Sequence, residues 1–95
     1  MSDTTVKDNP DLSRFEAYVD GELAGFAAYR LSNGHLVFTH TEVDDAYEGQ
    51  GVGSALARGA LDQVRSAGEH DVVAMCPFIA AWIERHPDYQ DLVAP

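Results

Sequence analysis

Three places in the 95-residue sequence carry groups able to do chemistry. Cys76 and Pro77 close a short apolar run and open a helical one. A thiol at a helix start is favoured as the thiolate, the nucleophilic form. The competing reading is a cysteine that packs as a small buried hydrophobe. His40 and Glu42 stand two apart in a strand-like run, so they share a face. Histidine exchanges a proton near neutral pH, which suits a general base; the plainer alternative is a hydrogen-bonded strand histidine. The third place is Tyr47-Glu48-Gly49-Gln50-Gly51-Val52-Gly53-Ser54-Ala55-Leu56, where three glycines alternate ahead of an amphipathic helix. Glycine allows positive φ and close approach of another group. The helix start then offers free N–H groups and the positive end of its dipole. Together they form a cradle for an anion, most simply a phosphate or pyrophosphate, against the alternative of an ordinary glycine-rich turn. His35, His40, Cys76 and His86 show no ligand spacing, so no metal is expected. His86, before Pro87, reads as a cation at a helix C-terminus.

The elements that must position these groups can be read in order. Residues 1–12 are polar, acidic and interrupted by Pro10, and are expected as a flexible tail. Residues 13–95 form the domain. Residues 13–19 alternate, with Phe15, Ala17 and Val19 on one face, as in a half-buried strand. Asp20-Gly21 and Asn33-Gly34 are hairpin signals. They join residues 13–19, 22–31 and 35–43 into a three-stranded antiparallel meander, with Gly25 placed for a bulge. From Gly51 the period changes. Val52, Leu56, Ala60, Val64 and Ala67 recur at helical spacing, and Gly68 caps the end. Residues 71–76 read as a buried strand, and a strand–helix–strand order implies a right-handed crossover and a parallel pair. Pro77 suits the first turn of a last helix, over residues 78–85. The fold class is therefore α+β with a mixed sheet.

The formal charge of −10, from 16 acidic and 6 basic residues, argues against nucleic acid as a partner, because phosphate contacts need clustered Lys and Arg. No apolar run reaches the length of a membrane span. A single cysteine suits a reducing compartment. A soluble cytoplasmic protein, monomeric or weakly dimeric, is expected.

His40-Thr41-Glu42-Val43, then Gly49 through Leu56, Cys76-Pro77-Phe78 and His86-Pro87-Asp88-Tyr89 occur in an order and spacing that resembles the GNAT superfamily of N-acetyltransferases, in its minimal, YjdJ-type subgroup. The resemblance covers nearly everything after Leu12. It implies acetyl-CoA as donor. The pantetheine would run along the strand at Glu42 and Val43. The pyrophosphate would lie on the helix start at Gln50, Gly51, Val52, Gly53 and Ser54, with Arg58 the nearest cation for a CoA phosphate. The superfamily pattern is Arg or Gln, two residues, Gly, one residue, Gly or Ala. Set on Gly51 and Gly53 it puts Glu48 first, a departure; from Gln50 through Gly53 to Ala55 it fits as written. The resemblance also sets Cys76 near the acetyl group, as nucleophile or as acid for the leaving thiolate. His40 or Glu42 would then be the base toward an amine. The tyrosine that serves as acid in many larger members has no counterpart here, since Trp82 and Ile83 stand near its place.

An acetyltransferase acting on a small-molecule amine, a protein lysine or an N-terminus is thus the leading expectation. The alternative is a non-catalytic CoA-binding or protein-interaction module. A P-loop is absent because no Gly-Lys-Ser/Thr follows the glycines. A dinucleotide-binding fingerprint fails because no acidic residue closes the next strand.

Overall fold

The computed structural model describes residues 4–95. The elements are β1 (Thr4–Asn9), β2 (Arg14–Val19), β3 (Glu22–Ser32), β4 (His35–Val43), a 3-10 turn (Asp45–Tyr47), α1 (Val52–Ala67), β5 (Asp71–Ala74), α2 (Pro77–Glu84) and a final 3-10 turn (Pro87–Leu92). The strands form one sheet in sequence order, β1-β2-β3-β4-β5, with β1 to β4 antiparallel and β5 parallel to β4.

The antiparallel part has one strand more than the meander expected. The tail assigned to residues 1–12 is, from Thr4, an edge strand that pairs with β2 from Thr4 opposite Val19 to Asn9 opposite Arg14. Residues 1–3 lie outside the described residues. TTVKDN lacks the apolar alternation of a half-buried strand; it pairs with β2 across residues 10–13, Asn9 facing Arg14, and its packing partners lie far along the chain. Val6 packs against the core, Gln63 Nε2 of α1 donates to the Val6 carbonyl at 2.8 Å, and the Tyr29 hydroxyl donates to Asp8 at 2.7 Å. Val6 can come this close because residue 59 of α1 is glycine: a Cβ there would lie 2.6 Å from Val6 Cγ2.

Both hairpin turns form as expected, with positive φ at Asp20 and Gly21 and at Asn33 and Gly34, the backbone of a two-residue turn matched to strand twist. The bulge in β3 falls beside Gly25: Ala17 faces Gly25 and Tyr18 faces Leu23, leaving Ala24 unmatched. A second bulge lies in β4, where Ala28 faces His40 and Tyr29 faces Phe38, leaving Thr39 unmatched.

Among the described residues both helices cover one face of the sheet. Their apolar sides, Val52, Leu56, Ala60, Leu61 and Val64 of α1 and Ile79, Trp82 and Ile83 of α2, join Phe15, Ala17, Val19, Ala27 and Phe38 in a single core. Fully burying one such side chain stabilises by about 1.5–3 kcal/mol, so this face supplies most of the apolar stabilisation. The other face carries Arg14, Glu16, Tyr18, Phe26, Ala28, His40 and Glu42, in cross-strand rows such as Glu16–Phe26–Glu42. No described helix is long and apolar enough to cross a membrane.

Candidate active site

The β4–β5 pairing is short. It runs from His35 opposite Asp71 to Phe38 opposite Ala74. The N–H groups of Met75 and Cys76 then both turn onto the Phe38 carbonyl, at 3.0 and 3.1 Å, and Pro77 starts α2. Proline locks φ and has no N–H, so it can open a helix but cannot extend the ladder. From Thr39 to Val43, β4 keeps β3 on one side and, among the described residues, has no strand on the other. A strand edge of this kind offers N–H and C=O groups to an extended ligand.

The start of α1 lies beside this parting. Gly49 and Gly51 take positive φ, 79° and 76°, and Gly51 is the N-cap. The Ala55 N–H makes the first bond back, to the Gly51 carbonyl at 3.0 Å. The N–H groups of Val52, Gly53 and Ser54 precede it and have no intrahelical acceptor. They open into a cleft of about 420 Å³ lined also by Val43, Tyr47, Glu48, Phe78, Trp82, Arg85 and His86. A Cβ at Gly53 would lie 2.9 Å from Phe78 Cζ, so glycine lets α2 close over the helix start. Trp82 Nε1 donates to Ser54 Oγ at 3.0 Å. That contact fixes the hydroxyl and leaves its own O–H free to donate to an anion.

Of the binding residues expected, Val43, Gly51, Val52, Gly53 and Ser54 come together around the cleft. Gln50 does not: its side chain turns back to the Ala46 carbonyl at 3.4 Å. Arg58 is also held away. Its Nη1 donates to the Tyr89 hydroxyl at 3.3 Å, and its guanidinium lies 5.4 Å from the Trp82 ring centre. Tyr89 in turn donates to Asp62 at 2.7 Å, and that hydrogen bond raises its pKa above the ordinary phenol value.

The catalytic candidates divide between the two faces. Cys76 is the N-cap of α2, is buried, and its Sγ donates to Thr41 Oγ1 at 3.2 Å. Thr41 and Val43 point to the covered face, and Val43 packs on the core. His40 and Glu42 alternate to the other side, where His40 Nε2 lies 3.3 Å from Glu42 Oε1 and 6.2 Å, ring to ring, from Phe26. The structure pairs these two with each other and does not pair either with Cys76. Among the described residues no cluster of His, Cys, Asp and Glu could hold a metal ion.

Sequence reasoning missed Arg85 and the setting of His86. The His86 ring stacks on Trp82 with centroids 3.8 Å apart and planes 11° off parallel. Its Nδ1 lies 2.7 Å from the Trp82 carbonyl, which can only accept, so Nδ1 carries the proton. The sole signal in the sequence was the i, i+4 spacing of Trp82 and His86.

The glycine-led helix start stands against a parted strand pair, in a mixed sheet covered on one face. A model of the GCN5-related N-acetyl-transferase family matches residues 14–92, and the chain belongs to that family. Its fold is similar to that of a ribosomal-protein-alanine N-acetyltransferase from Brucella melitensis biovar Abortus 2308, with a TM-score of 0.56 and 22% identity. The match covers 86% of this chain and 61% of that one, so this chain spans about three fifths of that protein's length. No curated protein matches the sequence.

Proposed function

We propose that the protein is an acetyl-CoA-dependent N-acetyltransferase. The observation that carries this reading is the parting of β4 from β5 at Phe38, next to the unpaired N–H groups of Val52, Gly53 and Ser54. The donor's pyrophosphate rests on those groups, its pantetheine follows the free edge of β4 past Val43, and its thioester ends in the gap between β4 and Cys76.

The acceptor amine enters from the uncovered face, where His40 or Glu42 takes its proton and passes it to solvent. Nitrogen attacks the acetyl carbon, free N–H groups on the β4 edge take the developing oxyanion, the C–S bond breaks, and the CoA thiolate receives a proton from Cys76. The Cys76 thiolate then regains a proton from solvent. The bond from Cys76 Sγ to Thr41 supports the acid role over the nucleophilic one: the thiol is held as a donor, and His40 and Glu42 point to the opposite face. A second cleft, of about 470 Å³, lies at the end of β4 and is lined by Phe26, Glu42, Asp44 and Asp45. Its carboxylates favour a cationic acceptor.

A non-catalytic CoA-binding module is the second reading, supported by Glu48 on the cleft rim. Thiol release from acetyl-CoA with a panel of amines separates the two. Turnover is expected, with Cys76→Ala about a hundredfold slower and His40→Ala also slower than wild type. Binding without turnover would establish the module. Acetylated Cys76 after acetyl-CoA alone, seen by mass spectrometry, would replace the acid role by a covalent one.

A further inference from the structure

We infer that Arg85, and not Arg58, is the side chain that reads the phosphates of the donor. This rests on the acetyl-CoA reading above and adds the residue that separates CoA from unphosphorylated thioesters. The chain has 6 Lys and Arg residues, and five are engaged elsewhere. Arg14 bonds Glu16 at 2.7 Å, and Arg65 bonds Asp91 at 2.8 Å. Arg58 bonds Tyr89, Lys7 lies 5.6 Å from the Tyr18 ring centre, and Arg30 Nη2 lies 3.9 Å from Met75 Sδ on the uncovered face. Arg85 is the one of the six that lines the cleft over the α1 N-terminus. Among the described residues it has no carboxylate partner, in a protein of formal charge −10.

Its position is fixed by backbone rather than by its own side chain. Arg85 is the C-cap of α2, with its N–H donating to the carbonyls of Ala81 and Ile83. The next residue, His86, is clamped on Trp82 by stacking and by the Nδ1 hydrogen bond. Trp82 is tied in turn to Ser54 in the first turn of α1. Arg85 therefore hangs from a rigid support on the rim of the cleft that Val52, Gly53 and Ser54 also line. Guanidinium matches phosphate with paired N–H donors, whereas the amides alone make no distinction among small anions.

The test is titration of the wild type and of Arg85→Gln and Arg58→Gln with CoA, dephospho-CoA and pantetheine, by calorimetry or amide shifts. Wild type is expected to prefer CoA over pantetheine, and Arg85→Gln to lower that preference tenfold or more with pantetheine affinity unchanged. Arg58→Gln should keep the wild-type preference. If wild-type affinity for dephospho-CoA already falls to that of the variant for CoA, Arg85 reads the 3′-phosphate; if the variant loses affinity for dephospho-CoA as well, it reads the pyrophosphate. Unchanged CoA affinity in Arg85→Gln would overturn the inference while leaving the donor reading intact. No discrimination between CoA and pantetheine by the wild type would instead overturn the donor reading itself.

Discussion

The covered and uncovered faces of the sheet solve different problems with the same strands. On the covered face Phe15, Ala17, Ala27 and Phe38 meet two helices and are nearly inaccessible. On the uncovered face Glu16 is 5% exposed, with no helix above it among the described residues. It is shielded by its own neighbours: Arg14 Nε donates to it at 2.7 Å, the Tyr18 hydroxyl at 2.8 Å and Asn9 Nδ2 at 3.3 Å, while the Arg14 guanidinium also lies 4.7 Å from the Phe26 ring centre. One face is held by apolar burial, the other by a charge network. A sheet face without helices can thus still bury a charged side chain, while His40 and Glu42 on the same face stay exposed.

The sharpest test of this contrast compares an aromatic from each face. Trp82→Ala should destabilise by about 3–5 kcal/mol, since Trp82 is 1% exposed and joins both helices. Phe26→Ala should cost less than about 1 kcal/mol, as for a partly exposed side chain. Denaturant titration measures both, and equal losses would erase the distinction.

A smaller effect separates the faces in acid. Burial pushes the Glu16 carboxyl up, but the donors Tyr18, Arg14 and Asn9 outweigh burial and hold it below its ordinary value. A depressed folded value means that the stabilisation is present above the unfolded carboxylate range and is lost as pH falls through the folded one. Glu16→Gln should therefore lower stability by about 1–3 kcal/mol near neutrality. Its deficit should vanish as the medium is acidified below the folded value. A deficit that persists in strong acid would show packing, not charge, to be the cause.

The smallest effect appears in alkali, on the covered face. Burial, and then the hydrogen bond to Asp8, push Tyr29 up to about 12 from 10.0. Its contribution is complete below the unfolded value and is lost as pH rises through the folded one. Tyr29→Phe should be slightly less stable than wild type at pH 8, by about 1 kcal/mol, and that gap should close between pH 10 and about 12. A gap constant with pH would remove the Tyr29–Asp8 bond as the tie between β1 and β3.

Much of the fold was legible because its signals are local. Asp20-Gly21 and Asn33-Gly34 set two turns through backbone preference alone. The period change at Gly51 marked α1, observed as Val52–Ala67, and Pro77 marked α2, observed as Pro77–Glu84. The short strand before Pro77 proved to be Asp71–Ala74, with Met75 and Cys76 already leaving the ladder. β1 was not legible, since a polar edge strand takes its stability from Gln63, Tyr29 and the space above Gly59. In the site, the glycine-led helix start could be read from residue types, because positive φ at Gly49 and Gly51 is a local backbone demand. The destination of a long side chain could not. Arg58 stands in the sequence as the nearest cation to the helix start, and tertiary contacts alone send it to Tyr89 and leave Arg85 on the cleft.

The sequence by itself determined the order of elements, the glycine-led helix start and the sharing of one face by His40 and Glu42, since each follows from short-range backbone geometry. Only the tertiary structure decided that this face is opposite to that of Cys76. The alternation of a strand relates its own residues to one another, but the side on which the helices pack is set by the core as a whole. For the same reason only the packed structure placed Thr41 beside Cys76 and Trp82 beside Ser54, pairs separated in sequence by 35 and 28 residues.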